Sequence, residues 1–392
     1  MSYNLKIFTD NIGPGAVNQI YTLLDLPPFA DSVVRIMPDA HQGKGCVVGF
    51  TARLGDKIIP NLIGVDIGCG MLTVKLGKIE PDLEGLDNFI RKNIPAGTNV
   101  RDSYSGTDMI DRLYCLDELE DKDRAYRSLG SLGGGNHFIE LDKDDEGEIY
   151  LVIHTGSRNL GLQVANHYQK KAIEACKHAP DEERERVRKE LMAQGKPEEL
   201  DAAIEAVNQK YSQRTKTPPQ LCYFEGAECE PYLHDMRICQ EFAIKNRAKI
   251  AEDIMHYLGV HKAESFETMH NFIDGDGIVR KGAIPAHKGQ RVIIPMNMRD
   301  GCIIAIGKGN EDWNYSAPHG AGRLVSRGRA RELFTEEEYK ESMKGIYTTS
   351  VCPATIDESP MAYKPMEEII SLIGDTVEIE KIVKPIYNFK HK

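Results

Sequence analysis

The sequence lacks any apolar run that could cross a membrane as a helix. Its first residues, Met1 to Ile7, lack the charged start and apolar stretch of a secretory signal. The nine cysteines are odd in number and irregularly spaced, which argues against a disulfide framework and favours a reducing compartment. These absences predict a cytoplasmic protein in which any special cysteine serves as a metal ligand or a nucleophile.

The chain also lacks a basic excess, because 49 Lys and Arg stand against 60 Asp and Glu, giving a net charge of −11. Such a charge argues against non-specific binding of nucleic acid through the whole surface, but it allows a local basic groove. The sequence has no internal repeat, low-complexity tract or long linker. We therefore predict one catalytic domain over residues 1–392.

Strand-like and helical segments alternate along the chain, which predicts a mixed α/β fold. Predicted strands cover residues 32–37, 46–54, 57–76, 148–153, 264–272, 291–295, 302–306 and 377–389. Predicted helices cover residues 15–24, 82–92, 108–118, 235–258, 322–334, 335–343 and 366–373. Residues 160–211 are poor in glycine and rich in Glu, Lys, Arg and Ala, with a break at 195–197. This stretch predicts a helical hairpin, inserted at about residues 160–215 of the domain.

One segment places a histidine between a proline and small residues, Tyr315-Ser316-Ala317-Pro318-His319-Gly320-Ala321-Gly322-Arg323. Small residues allow a phosphate to approach closely. The residues after His319 resemble the first turns of a helix, whose free N–H groups favour an anion. The segment indicates phosphate chemistry at His319, or alternatively a turn whose histidine caps a helix.

Further histidines lie in glycine-rich or strand-end positions, His137, His154 and His270, and an Asp-x-x-Cys pair joins Asp66 to Cys69. Strand ends that are distant in sequence can converge, and O, S and N donors together suit one or two transition metals. Zinc, cobalt, iron and manganese all fit, and a thiolate could bridge two ions. The alternative is that each histidine is structural.

Cationic residues lie near these candidates in sequence, namely Arg158, Arg280, Lys281, Arg323 and Arg327. They could bind phosphate or simply provide surface solubility. His319 could be a further metal ligand, or a nucleophile that attacks the α-phosphorus of a nucleotide to give a phosphoramidate. Asp39 is a candidate to accept a hydrogen bond from its other ring nitrogen.

Eight motifs, in order along the chain, resemble those of the RtcB family of RNA-splicing and RNA-repair ligases. They are Pro38-Asp39-Ala40-His41-Gln42-Gly43, Gly64-Val65-Asp66-Ile67-Gly68-Cys69-Gly70, Gly133-Gly134-Gly135-Asn136-His137-Phe138, His154-Thr155-Gly156-Ser157-Arg158, His270-Asn271, Arg280-Lys281-Gly282-Ala283, His319-Gly320-Ala321-Gly322-Arg323 and Asp357-Glu358-Ser359-Pro360-Met361-Ala362-Tyr363-Lys364. The resemblance implies the family's mixed α/β body, with the helical excursion in the place of a family insertion.

The resemblance also implies roles for individual residues. Two Mn²⁺ ions would be bound by Asp66, Cys69, His137, His154 and His270, with Cys69 bridging. GTP would guanylylate His319, which Asp39 would orient. Phosphates would contact Asn136, Arg323 and Arg327, and guanine would be surrounded by Glu140, Tyr363 and Lys390.

The implied reaction joins RNA that ends in a 2′,3′-cyclic phosphate or 3′-phosphate to RNA that begins with a 5′-hydroxyl. It passes through a histidine–GMP intermediate and an RNA-ppG end.

Two segments near the expected nucleotide depart from the family pattern, Asn297-Met298-Arg299 and Ala317-Pro318. The short, acidic chain resembles a repair-type bacterial paralogue. The alternative functions are a metal-dependent RNA-end phosphohydrolase and an RNA-binding relative without ligation.

Overall fold

A computed structural model describes residues 3–43, 45–103 and 106–391. The strands are β1 Asn4–Ile7, β2 Val33–His41, β3 Val48–Arg53, β4 Lys57–Ile58, β5 Gly70–Gly77, β6 Phe138–Lys143, β7 Ile149–Thr155, β8 Phe224–Glu225, β9 Glu264–Met269, β10 Asn271–Ile273, β11 Ile278–Lys281, β12 Ala283–Pro285, β13 Arg291–Asn297, β14 Gly301–Gly307, β15 Ser316–Pro318 and β16 Val377–Phe389. The α-helices are α1 Pro14–Leu24, α2 Pro60–Ile63, α3 Leu83–Asn93, α4 Lys122–Arg127, α5 Arg158–His178, α6 Asp181–Ala193, α7 Leu200–Thr215, α8 Cys229–Tyr257, α9 Arg327–Leu333, α10 Glu336–Ser342 and α11 Met366–Ile373. The mixed α/β class predicted from the sequence is confirmed.

Two larger sheets carry the architecture. One has seven antiparallel strands in the order β13-β14-β16-β6-β7-β5-β9. The other has five strands in the order β1-β2-β3-β11-β10, with β1 and β2 parallel and the remaining pairs antiparallel. Two short pairs, β12 with β15 and β4 with β8, complete the strand pairing. Half of the neighbouring pairs in these two sheets join strands that are not consecutive in the chain, so the local pattern does not reveal the strand order.

Helix α8 packs against the cores of both sheets. Its first half contributes Tyr232, Met236 and Phe242 to a cluster that includes Ile36 and Phe50 from the five-stranded sheet. Its second half contributes Ile250, Ala251 and Ile254 to a cluster with residues of β5, β6 and β7. The helix therefore connects the two hydrophobic cores.

Local capping explains where several helices begin. Helix α3 starts after Asp82, whose side chain accepts a hydrogen bond from the amide of Gly85 at 3.1 Å. Helix α10 starts with a capping box, in which Thr335 and Glu338 each accept a bond from the other's amide. Both helices agree with the sequence prediction.

Three predicted elements were wrong. The helix predicted over 108–118 is two short 3₁₀ turns, Asp108–Arg112 and Leu116–Glu118. Residues 57–76 are not one strand, since helix α2 with Pro60 at its first position separates β4 from β5. The helix predicted from residue 322 begins only at Arg327, after the N-cap Ser326.

The predicted helical hairpin is three helices. The break at Gly195 and Pro197 is confirmed, since α6 ends at Ala193 and α7 begins at Leu200. Helix α5 differs from the other two because it buries several side chains in the main core. Helix α6 has no fully buried side chain, and its half-buried side, which includes Glu183 and Arg184, contacts α7. Among the described residues, no helix combines the length and apolarity that a membrane crossing requires.

Candidate functional site

One end of the seven-stranded sheet brings together four of the residues predicted as metal ligands. Cys69 immediately precedes β5, and His154 lies one residue before the end of its neighbour β7. His270 immediately follows β9, the other neighbour of β5, and His137 immediately precedes β6, the other neighbour of β7. Antiparallel pairing therefore places these residues, from four adjacent strands, at the same end.

The donor atoms of these residues lie within a few ångströms of one another. The sulfur of Cys69 lies 3.3 Å from Nε2 of His154 and 3.5 Å from Nε2 of His137. His154 Nε2 lies 3.4 Å from Nε2 of His270, and His137 Nε2 lies 2.8 Å from Oδ2 of Asp66. The donors form two groups, Cys69 with His154 and His270, and Cys69 with Asp66 and His137. Cys69 belongs to both groups.

The surroundings prepare these side chains as ligands. His137 Nδ1 lies 2.9 Å from the carbonyl oxygen of Leu132, which accepts its proton and leaves the Nε2 lone pair facing Asp66 and Cys69. Burial, together with neighbouring histidines, holds the pKa values of His154 and His270 well below the usual range, so both rings are neutral. The lone pairs of these nitrogen, sulfur and oxygen atoms face one another, and a bound cation would relieve their mutual repulsion. This set of donors suits one or two transition metals.

His319 lies beside these groups. It directly follows β15, and its ring centre lies 4.8 Å from that of His270. Its Nδ1 lies 2.6 Å from Oδ2 of Asp39, a fully buried carboxylate on β2. The same oxygen accepts bonds from the backbone amides of His319 and Gly320 at 3.1 and 3.2 Å. Since Asp39 accepts the Nδ1 proton, the free lone pair of the imidazole is on Nε2.

A glycine holds the His319 loop against β2. Gly322 has a φ of +77°, and a Cβ there would lie 2.3 Å from the carbonyl oxygen of Asp39. A side chain would be strained in this backbone conformation and would collide with the strand. This positive φ is also why the segment directly after His319 does not form the predicted helix, which begins only at Arg327.

A cleft with about 760 Å³ of empty space, open solvent included, opens at His319. Its walls include His319, His154 and the other residues predicted to contact a nucleotide, namely Asn136, Glu140, Arg323, Arg327, Tyr363 and Lys390. The structure thus places the candidate nucleophile, one candidate metal ligand and the predicted nucleotide contacts around one cavity.

Glu358 organises the cationic side of the cleft. Its carboxylate lies 2.7 Å from Arg327 and 3.0 Å from Lys390, and it accepts a 2.8 Å bond from the hydroxyl of Tyr363. Arg323 stacks on the Tyr363 ring at 5.0 Å. Burial would raise the pKa of Glu358, but Lys390, Arg327 and Arg323 outweigh it and lower the pKa to about 2. Sequence reasoning assigned no role to Glu358, although it lies in one of the quoted motifs.

The remaining cations named from the sequence lie outside this cleft's walls. Arg280 is fully buried and bonded to Asp274 and Ser316, so both the phosphate and the surface interpretation are wrong for it. Lys281 is bonded at 3.0 Å to the carbonyl oxygen of Ile63. Arg158 donates to the carbonyl oxygen of Gly97 at 2.7 Å. Their polar groups are used in internal contacts.

The two departures from the family pattern have different positions. Asn297 and Met298 line the cleft, whereas Arg299 lies beside Asp300 at 2.7 Å and lines a neighbouring depression. Ala317 and Pro318 belong to β15, which pairs with β12 and directly precedes His319. Only Asn297 and Met298 can therefore contact a ligand in the cleft directly.

Comparison with known proteins identifies the family of the chain. The family model described as "tRNA-splicing ligase RtcB" matches residues 19–113 and 113–391. An "RNA-splicing ligase RtcB" of Escherichia coli K12 is 28% identical over 398 residues, covering 90% of this chain and 88% of the relative. A "tRNA-splicing ligase RtcB" of Aeropyrum pernix is 28% identical, with coverage of 89% and 85%, and one of Thermococcus kodakarensis is 26% identical, with coverage of 87% and 83%.

The mixed fold, the histidine beside a cluster of metal-ligand types and these similarities define the class of the protein, which is that of the RNA ligases. Within that class, the chain belongs to the RtcB family, because the family model matches nearly its whole length. The bacterial and archaeal relatives match at nearly equal identity, so the repair-type bacterial subgroup stays a prediction.

Proposed function

We propose that the protein is a GTP- and Mn²⁺-dependent ligase that joins RNA 2′,3′-cyclic phosphate or 3′-phosphate ends to 5′-hydroxyl ends. The observation that carries this proposal is the position of His319. Asp39 holds its Nδ1 at 2.6 Å, and its ring lies 4.8 Å from that of His270, a member of the metal-ligand cluster. An imidazole nitrogen thus lies beside groups suited to bind metal, at the wall of an open cleft.

His319 is the proposed nucleophile. Its Nε2 lone pair attacks the α-phosphorus of GTP, the bond to the β-phosphate oxygen breaks, and pyrophosphate leaves. An oxygen of the RNA 3′-phosphate then attacks the same phosphorus and releases His319, which gives RNA-ppG. The 5′-hydroxyl finally attacks the RNA phosphorus and displaces GMP. A cyclic phosphate must first be opened by water to a 3′-phosphate. Asp39 stabilises the positive charge on the imidazole throughout the first step.

Two ions would be held by Asp66, Cys69, His137, His154 and His270, with Cys69 shared between them. The sharing is supported by the two donor groups that have this sulfur in common. When bound, such ions neutralise charge on phosphoryl oxygens and orient the leaving group. Manganese accepts N and O ligands readily, whereas the thiolate also suits zinc or iron, so metal identity is a matter for measurement.

The cleft supports GTP as the nucleotide. Arg323 and Arg327 offer guanidinium groups to phosphates, together with Asn136. Glu140, Tyr363 and Lys390, which also line the cleft, offer a carboxylate, an aromatic hydroxyl and an ammonium group to the base. A carboxylate accepts hydrogen bonds from the N–H groups of guanine, which supports guanine over bases that present an acceptor there.

Labelling with α-³²P-GTP and Mn²⁺ tests the first step. We expect covalent label on the wild-type protein, none on His319→Ala, and normal labelling of His261→Ala, in which an exposed histidine outside the cleft is lost. An unlabelled wild-type protein under every divalent metal tested would rule out the guanylylated histidine.

A ligation assay tests the whole reaction and separates it from the phosphohydrolase alternative. One RNA ends in a 2′,3′-cyclic phosphate and the other begins with a 5′-hydroxyl. A ligase yields a longer RNA that depends on GTP, whereas a phosphohydrolase only removes the end phosphate and an RNA-binding relative changes neither RNA.

We place this activity in the cytoplasm, since none of the described cysteines forms a disulfide, as is typical of a reducing compartment.

A further inference from the structure

Behind the base-facing wall of the cleft lies an acidic pair that the proposed reaction does not use in full. Glu140 and Asp142 are two residues apart on β6, so their side chains share one face of the sheet. Both are buried, with exposed fractions of 2% and 0%. Carboxyl oxygens of the two residues and the sulfur of Cys302 all lie within 4.8 Å of one another.

The two carboxyl groups have very different partners. Glu140 lines the cleft and accepts a hydrogen bond from the side-chain amide of Asn388 on β16. The thiol of Cys302 on β14 lies 3.9 Å from its other oxygen. Neither oxygen of Asp142 makes a hydrogen bond of normal geometry among the described residues, and the nearby thiol of Cys302, a weak donor, is the group that favours its ionised form. An ionised carboxylate without a donor in the interior is strongly disfavoured, because it loses its hydration and gains nothing in exchange.

The charged and titratable groups that face the pair do not relieve this problem. Immediately after β16, Lys390 lies toward Glu140 and is bound to Glu358 at 3.0 Å. On β7, Tyr150 is the cross-strand neighbour of Asp142, but its hydroxyl donates to Asp144 at 3.1 Å. The surrounding cluster is otherwise apolar, formed by residues such as Val152, Ile293, Ile304 and Val383. Among the residues that the structure describes, no cation lies close enough to Asp142 to lower its pKa.

A proton on Asp142 resolves the arrangement. Its hydroxyl then donates to the adjacent Glu140 carboxylate, and one proton serves both groups. Burial, together with the charge of Glu140, raises the pKa of Asp142 well above its usual range. Burial also raises the pKa of Glu140, to about 7, against hydrogen bonds that favour its ionised form. Glu140 thus ionises first as pH rises, while Asp142 keeps its proton.

We propose that Asp142 is a positioning residue that stays protonated and donates a hydrogen bond to Glu140, which holds Glu140 as the ionised acceptor for the guanine base. This inference rests on the proposed function for the role of Glu140, but the proton on Asp142 is a property of the protein without nucleotide. It explains why a second carboxyl can be buried behind the first without a cation. A protonated Glu140 would present a donor to the N–H edge of guanine, so its ionisation matters for base recognition.

Substitutions at Asp142 test the donor directly. In Asp142→Asn the amide donates to Glu140 without carrying a charge, so we expect guanylylation of His319 within about threefold of wild type at pH 8. In Asp142→Leu the donor is lost, so we expect kcat/KM for GTP to fall at least tenfold. The acidic limb of its pH profile should also move to higher pH, because Glu140 loses a bond to its ionised form. Loss of activity in the asparagine and leucine variants alike would overturn the proposal.

Infrared spectroscopy on the protein without nucleotide keeps the test independent of folding and of the proposed reaction. We expect a protonated-carboxyl band at pH 8 that is present in wild type and in Asp144→Asn, and absent in Asp142→Asn. Asp144 is the matched control because it is ion-paired with Lys381 at 2.9 Å and carries no proton. Absence of the band in wild type would overturn the proposal even if GTP labels His319. Its presence would support the acid pair even if GTP does not.

Metal analysis tests the alternative that the same three side chains bind a metal ion. Glu140, Asp142 and Cys302 could instead hold a cation, whose charge would replace the shared proton. We expect the same number of Mn²⁺ ions per chain in wild type and in Asp142→Asn after loading and gel filtration. One ion fewer in the variant would show a third cation site and overturn the proton on Asp142.

Discussion

The hydrogen bond between Asp39 and His319 gives the sharpest test of the catalytic arrangement. Asp39 Oδ2 accepts from the ring and from two backbone amides, whereas Oδ1 has no hydrogen-bond partner in the part of the chain that the structure describes. In Asp39→Asn the amide oxygen can keep the position of Oδ2 while the amide nitrogen takes the position of Oδ1. The substitution therefore removes the negative charge and leaves the geometry largely in place.

The charge matters because the imidazole becomes positive as Nε2 bonds to phosphorus. A neutral acceptor lowers the contribution of the hydrogen bond from about 1.5–3 kcal/mol to about 0.5–1.5 kcal/mol, and about 1.4 kcal/mol is tenfold in rate, so guanylylation should slow about 5- to 12-fold. Asp39→Ala should slow it further, because it also leaves three donors without an acceptor. Ligation that starts from already guanylylated protein should be affected less, since there the imidazole is the leaving group and regains its neutral form.

Single-turnover labelling with α-³²P-GTP measures the first step, and product length measures ligation. Asp87→Asn is the matched control, because Asp87 is also buried and bonded to Tyr387 and Arg91, but it lies outside the cleft. It should lower thermal stability and leave the labelling rate unchanged. Wild-type labelling by a folded Asp39→Asn and Asp39→Ala alike would refute the role of Asp39.

Three further outcomes are expected. Cys69→Ala should lower Mn²⁺ content and abolish labelling, measured by metal analysis and α-³²P-GTP; full metal content would contradict the shared ligand. The pKa of Glu358 is about 2 in the folded protein and about 4.3 in the unfolded chain, so above about pH 4.3 its carboxylate stabilises the fold by about 3 kcal/mol. This contribution is lost as pH falls to about 2. The free energy of unfolding, measured by urea denaturation, should therefore fall more steeply between pH 5 and 2 for wild type than for Glu358→Gln. Equal slopes would refute the ion pairing. Gly322→Ala should lower the free energy of unfolding by about 1–3 kcal/mol, because alanine is strained at the positive φ of this position. Gly328→Ala is the control, since it lies in open space within a helix and should be neutral or stabilising. Equal melting temperatures of the two variants would refute the strain.

Local sequence signals determined much of the secondary structure. The last strand, residues 377–389, was predicted with the bounds it has, because its β-rich composition extends over its full length. Helix α3 was predicted within one residue at each end, since Asp82 caps its start. The segment after His319 misled the prediction, because the positive φ of Gly322 depends on contact with β2 and leaves no local pattern.

The sequence by itself also determined which kinds of groups the site contains: a histidine among small residues, an Asp-x-x-Cys pair and histidines at strand ends. Only the tertiary structure decided how they combine. Antiparallel pairing of β5 with both β7 and β9 places Cys69 beside His154 and His270, and the loop before β6 adds His137. Asp39 and His319 are 280 positions apart and meet because the loop after β15 folds onto β2. Such contacts depend on strand order and packing, which short-range propensities do not encode.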